Sequence, residues 1–138
     1  MTEIRDASGG DRVGPAGFGP ITSGPIGLRV EQDRIGDVVV VRAYGDLDLA
    51  TATALGAELI AAEAVVVPPA PIVLDLTGVR FMSSSGLALL VQSHQRCQEL
   101  GSSLRVVADH RAVLRPIELT GLDHLLVLVP STRTALEP

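Results

Sequence analysis

The chain has 138 residues, is 46% hydrophobic and 2% aromatic, and sets 11 Lys+Arg against 16 Asp+Glu for a formal charge of −5. That is one domain's worth of chain with enough Ala, Val, Leu and Ile for an aliphatic core, so overall disorder is excluded. Its cations are all arginines; an acidic balance with one Tyr, two Phe and no Trp offers little to neutralise phosphates or stack on bases, and nucleic acid is not an expected partner.

Residues Met1 to Gly27 hold 7 of the 14 glycines and 3 of the 9 prolines without apolar periodicity. This composition predicts a disordered arm over 1–27, ahead of a folded domain over 28–138. No apolar signal-peptide core stands at the N-terminus, and the single cysteine, Cys97, has no intramolecular partner, so the cytoplasm is the expected compartment. The longest apolar stretch, Ala61 to Ile72, contains Glu63 and three prolines, far short of the roughly 20 residues that span a bilayer. No membrane insertion is expected.

From Leu28 the pattern alternates to Ile35, pauses at Gly36-Asp37 and resumes from Val38 to Tyr44, which predicts an antiparallel hairpin. Thr51 to Ala64 is rich in Ala, Leu and Glu, with Leu55, Leu59 and Ala62 on one helical face and Asp48 or Thr51 as N-cap. Pro68-Pro69-Ala70-Pro71 breaks it, and Ile72 to Leu76 reads as a central strand covered on both faces. Leu87, Leu90, Val91, His94 and Cys97 then recur at helical spacing up to Gly101, whereas Leu89 and Ile60 fall off their helices' main stripes. Leu104 to Ala108 predicts a strand, Arg111 to Leu119 a helix, and Leu125 to Val129 a last strand; Ser131 to Glu137 suits one more helical turn. The order is β-β-α-β-α-β-α-β with a terminal α: a mixed α/β sheet of four to five strands with helices packed on it.

Ser83-Ser84-Ser85-Gly86 opens the second long helix. Hydroxyls at a helix N-terminus cap its orphan N–H groups, and the positive end of the dipole favours a phosphate there, so a plain cap, a modified serine and a ligand-binding serine all suit this turn. A nucleophilic serine lacks its context: the segment is not G-x-S-x-G, and His94, His110 and His124 fall where none pairs with a carboxylate as a base. The histidines and cysteine have no metal-ligand spacing, and a Walker loop needs a Lys that this chain lacks, so no metal and no cofactor is expected. Cys97 reads as a small buried hydrophobe, Asp75 as a support for the serine turn or an exposed strand-end carboxylate, and Arg111 with Arg115 as a solvated face.

Gly45-Asp46-Leu47-Asp48, Ile72 to Val79 and Phe81-Met82-Ser83-Ser84-Ser85-Gly86-Leu87 together resemble the signature of the STAS domain. They are most similar to the bacterial anti-sigma-factor antagonists, with their G-E-L-D loop and D-S-S/T-G-L turn. The resemblance implies the STAS fold and a non-enzymatic partner switch. In that family an anti-sigma factor that is also a serine kinase of the histidine-kinase-like ATPase type phosphorylates the serine after the motif aspartate, and the resemblance implies such a partner here. Carried over, the aspartate falls on Ser83, the phosphoacceptor on Ser84, and the next two positions on Ser85 and Gly86. Gly45, Asp46, Leu47, Asp48, Ser83, Ser84, Ser85 and Gly86 are thereby the expected partner-binding residues. Two positions depart from the pattern: Asp46 shortens the acidic arm, and Ser83 keeps a capping group but removes the carboxylate beside the acceptor. The alternative is an unphosphorylated STAS interaction module bound to an ABC-transporter ATPase or a signalling scaffold, which the loss of the acid at Ser83 favours.

Overall fold

The computed structural model describes residues 22–23 and 27–138. Most of the arm expected over 1–27 lies outside them; Thr22–Ser23 (β1) pairs antiparallel with the next strand, Thr22 opposite Val30 and Ser23 opposite Arg29. The expected hairpin is Leu28–Ile35 (β2) and Val38–Leu47 (β3), in register from Leu28 with Gly45 to Ile35 with Val38. Gly36, at φ +61°, supplies the left-handed residue that its two-residue turn requires.

Leu49–Val65 (α1) leads to Ile72–Met82 (β4), then Ser84–Leu100 (α2), Leu104–Val107 (β5), Arg111–Leu119 (α3), a 3₁₀ turn at Leu122–His124, Val127–Val129 (β6) and Thr132–Ala135 (α4). The mixed sheet runs β1-β2-β3-β4-β5-β6, antiparallel through β3 and parallel from β3 to β6. It contains the five strands expected from the sequence, with β1 added at one edge.

Because the parallel strands follow one another without reversal, right-handed crossovers carry α1, α2 and α3 to the same face. Leu55, Leu59, Leu90, Val113 and Ile117 from these helices join Val41, Leu74, Leu76 and Val106 in one aliphatic cluster. The alternate strand residues Val40, Val73 and Val107 form a smaller cluster on the reverse face, covered by Ala135 of α4. Two polar ties hold α4 there: Arg105 Nη1 donates to the carbonyls of Ala135 and Glu137 at 2.6 and 2.7 Å, and Thr132 Oγ1 donates to Asp75 Oδ2 at 3.2 Å.

Several expectations shift. β4 continues six residues beyond Leu76, because the far half of β3 pairs with it, with irregular register between Arg42 and Tyr44 and again between Gly45 and Asp46. Leu89 is buried after all: α1 and α2 lie side by side, and its Cδ1 sits over Gly56, where a Cβ would meet it at 3.1 Å. Ile60 does remain exposed. Asp75 accepts from the Thr77 N–H and hydroxyl as well as from Thr132, so it anchors α4 rather than the serine turn. Cys97 is fully buried, and burial followed by the charge of Glu63 pushes its thiol up to about 11.

Candidate functional site: a two-loop surface at the ends of β3 and β4

Two loops leave the carboxyl ends of the adjacent parallel strands β3 and β4, the position where open α/β sheets place their sites. In the first, Gly45 has φ +116°, and a Cβ there would overlap the Gly27 carbonyl oxygen. Glycine is therefore required, and the next N–H, of Asp46, donates to that same carbonyl at 2.8 Å. Asp48 is the N-cap of α1: its Oδ1 accepts from the Thr51 N–H at 3.0 Å, and the Asp48 N–H donates to Thr51 Oγ1 at 2.9 Å. This capping box, closed by the Thr51 hydroxyl donating to the Asp46 carbonyl at 2.7 Å, makes the loop rigid.

In the second loop Ser83 is the N-cap of α2, its Oγ accepting from the Gly86 N–H at 3.4 Å. The loops are joined where the Ser83 N–H donates to the Leu47 carbonyl at 2.8 Å. A side chain on Gly86 would overlap Met82 Sδ and press on Leu47 Cβ, so glycine here lets α2 start against the end of the sheet. Ser84 is the first residue of α2 and is exposed, with no hydrogen bond to its hydroxyl among the described residues, while Ser85 is half-buried. The first turn of α2 carries no acidic side chain, so the positive end of this 17-residue helix is not neutralised by a neighbouring carboxylate.

The eight residues singled out in the sequence thus divide. Asp46, Ser84 and Ser85 present side chains; Asp48 and Ser83 are partly exposed but cap helices; Gly45 and Gly86 give the backbone room; Leu47 is fully buried and contributes no side chain to the surface. Asp46 faces Arg80 across a 3.6 Å exposed ion pair. Sequence reasoning missed two apolar side chains beside these loops: Leu49, 80% exposed directly after Asp48, and Phe81, 51% exposed and in register with Asp46. Phe81 could have been found as the only aromatic in the serine motif, since a core of Val and Leu leaves an aromatic there without a structural purpose.

Nothing at this site is arranged for catalysis or metal binding. No histidine hydrogen-bonds Ser83, Ser84 or Ser85 among the described residues. His110, expected to pair with nothing, is held by the Val79 carbonyl at 2.5 Å and Asp109 at 3.0 Å. His124 lies exposed, 3.9 Å from Asp123, and His94 Nδ1 is buried without a partner. Among the described residues, no cluster of His, Cys, Asp and Glu suits a metal ion and no helix is long and apolar enough to cross a membrane.

The STAS domain family model matches residues 29–135, the two loops included. The chain belongs to the STAS family of anti-sigma-factor antagonists. It is 33% identical over 98 residues to the anti-sigma-F factor antagonist RsfA of Mycobacterium tuberculosis, covering 71% of this chain and 77% of that one. With RsfB, a second anti-sigma-F factor antagonist from that organism, identity is 37% over 101 residues, 72% of this chain and 79% of the relative. The crystal structure of an anti-sigma factor antagonist from Mycobacterium paratuberculosis superposes with a TM-score of 0.74 at 35% identity, covering 83% of this chain and 96% of that one. The unphosphorylated SpoIIAA structure, 18% identical with a TM-score of 0.63 over 76% of this chain and 91% of its own, shares the fold. In keeping with its family, this STAS protein is a binding protein and not an enzyme.

Proposed function

We propose that the unmodified protein acts in the cytoplasm as an anti-sigma-factor antagonist. It docks the Gly45–Asp48 loop and the Ser83–Gly86 turn onto an anti-sigma factor, frees the sigma factor, and is released when that partner, a serine kinase of the histidine-kinase-like ATPase type, phosphorylates Ser84. The observation that carries this reading is the exposed, unbonded Ser84 hydroxyl on a helix N-terminus tied directly to the neighbouring loop by the Ser83 N–H.

Phosphorylation adds about −1.5 to −2 charges and three acceptor oxygens. The α2 N-terminus accommodates such a group, so the modification leaves the domain folded and acts on the partner. At the surface the phosphate adds charge and bulk near Asp46 and Asp48 and beside the exposed apolar Leu49 and Phe81. A partner packed on those side chains must then desolvate an anion, and a loss of about 1.4 kcal/mol already weakens binding tenfold.

The test compares wild type with Ser84→Glu in a pull-down from host lysate with mass-spectrometric identification, followed by titration of the captured protein. Capture of a histidine-kinase-like anti-sigma factor by wild type, with affinity at least tenfold weaker for Ser84→Glu and an unchanged melting temperature, is the expected result. Equal capture by both forms, or capture of a transporter ATPase instead, would sink the switch.

A further inference from the structure

The reverse face of the sheet has its own concavity, which meets the first docking loop at Gly45 but is otherwise built from residues outside both loops. Away from α4, this face is polar: Arg29 on β2, Tyr44 on β3 and Arg80 on β4 come from three adjacent strands, and with Gly27, Gly45 and Gly78 they line an open depression of about 420 Å³. That size suits a small metabolite.

Each part is fixed. Tyr44 lies opposite Arg29 and Gly78 in the strand register. A Cβ on Gly78 would fall against the Tyr44 ring, so glycine lets the ring lie down across β4. The Arg29 guanidinium sits 4.1 Å from the ring centroid, and the phenol donates to Glu31 Oε1 at 3.2 Å. Arg29 is braced by Glu31 at 2.5 Å. Arg80 is 76% exposed, and its 3.6 Å ion pair with Asp46 is too long for a hydrogen bond, so its planar donor fork makes no hydrogen bond among the described residues. Among the described residues lining the depression, Arg29 and Arg80 are the charged ones, with their carboxylate partners Glu31 and Asp46 outside the lining.

We propose that this depression is a binding site for a small phosphate-bearing molecule. The Arg80 guanidinium, with the free edge of Arg29, grips the phosphate oxygens, and Gly27, with nothing within 4 Å of where its Cβ would stand, leaves room for the rest of the ligand. Two guanidinium forks from different strands match a tetrahedral dianion, whose oxygens accept from several directions, better than the two oxygens of a planar carboxylate. The site is separate from Ser84 and does not depend on the partner switch.

Tyr44 is the chain's one tyrosine and there is no tryptophan, so intrinsic tyrosine fluorescence reports from the wall of this depression. Titrating the full chain at constant ionic strength with inorganic phosphate, and separately with glycerol phosphate, is expected to give a saturable fluorescence change that acetate does not produce. Arg80→Ala, which keeps the Arg29 and Glu31 contacts of Tyr44, is expected to weaken that response at least tenfold without moving the melting temperature. The stronger of the two phosphate ligands then shows whether the occupant is free phosphate or a monoester, and either result supports the site. A response that never saturates, one that acetate reproduces, or one that survives Arg80→Ala unchanged would overturn it.

Discussion

Ser83 and Ser84 are adjacent hydroxyls with different work to do. Ser83 is spent on the backbone, accepting from the Gly86 N–H through its side chain and donating its own N–H to Leu47; the Ser84 hydroxyl has no partner among the described residues. Where a family member has a carboxylate in place of Ser83, that acid both caps the helix and repels a phosphate next door. A neutral cap removes the repulsion and leaves the helix dipole to favour the dianion. Replacing the cap with an acid should therefore help the unmodified helix and hurt the phosphorylated one. Ser83→Asp is expected to raise the melting temperature slightly, by a cap contribution of about 0.5 kcal/mol. It is also expected to raise the second phosphate pKa of phosphorylated Ser84 above its wild-type value, read by phosphorus NMR across the range around pH 6. An identical titration curve in both proteins would show that position 83 does not act on the phosphate electrostatically.

The pairing of α1 with α2 rests on more than apolar contact. Glu63, at 8% exposure, accepts from Ser93 Oγ at 2.7 Å and from Arg96 Nε and Nη2 at 2.6 and 3.2 Å, and these bonds hold the Arg96 guanidinium's pKa above its ordinary value. Removing one partner strands a buried carboxylate. Arg96→Met is expected to cost about 3 kcal/mol, the low end for a broken buried pair because the Arg96 side chain is a third exposed. Adding Glu63→Leu should return most of that loss, and chemical denaturation of both variants checks it. Little of this contact was readable in the sequence, since a Glu in an Ala-rich helix looks solvated until a second helix is laid beside it. The same blindness hid Leu89: one stripe per helix suffices for packing on a sheet, and flanking another helix widens the buried arc. What could be read were the boundaries set by local chemistry, Gly36, Asp48, the proline run, Ser83 and Gly101, because each satisfies a backbone requirement within its own segment. The far half of β4 has no such mark. Thr77 and Gly78 break the apolar pattern, and only the Tyr44 ring lying over Gly78 explains why a strand tolerates them. Of the candidate site, the serine turn was legible from the chemistry of a helix N-terminus and the acidic loop through the resemblance, whereas Leu49 and Phe81 needed the exposures that folding decides.

A sequential parallel sheet with right-handed crossovers gives this protein two unlike faces. Three helices cover one face, and among the described residues the other is covered by α4, which lies on Val40, Val73 and Val107. Four helical residues bury too little to hold themselves down, since a helix so short is not stable alone. The Arg105 guanidinium supplies the missing hold by binding two carbonyls beyond the reach of α4's own hydrogen bonds, at Ala135 and Glu137, where the helix dipole is negative. Asp75, from the middle of the sheet, fixes the other end through Thr132. If these ties and not the apolar contacts alone seat α4, then Arg105→Ala should release it without disturbing the opposite face. The expected loss is about 1.5–3 kcal/mol, the worth of hydrogen bonds from a charged donor. Hydrogen exchange locates the effect: faster exchange is expected at the amides of Ala135 and Leu136, which donate to Ser131 and Thr132, while the core amides of α2 keep their protection relative to global unfolding. Because the docking loops leave the carboxyl ends of β3 and β4 while α4 packs on Val40, Val73 and Val107, partner affinity should stay at the wild-type value. Uniformly faster exchange across the sheet would mean that α4 is an inseparable part of the core, and weaker partner binding would mean that the two faces communicate through β4.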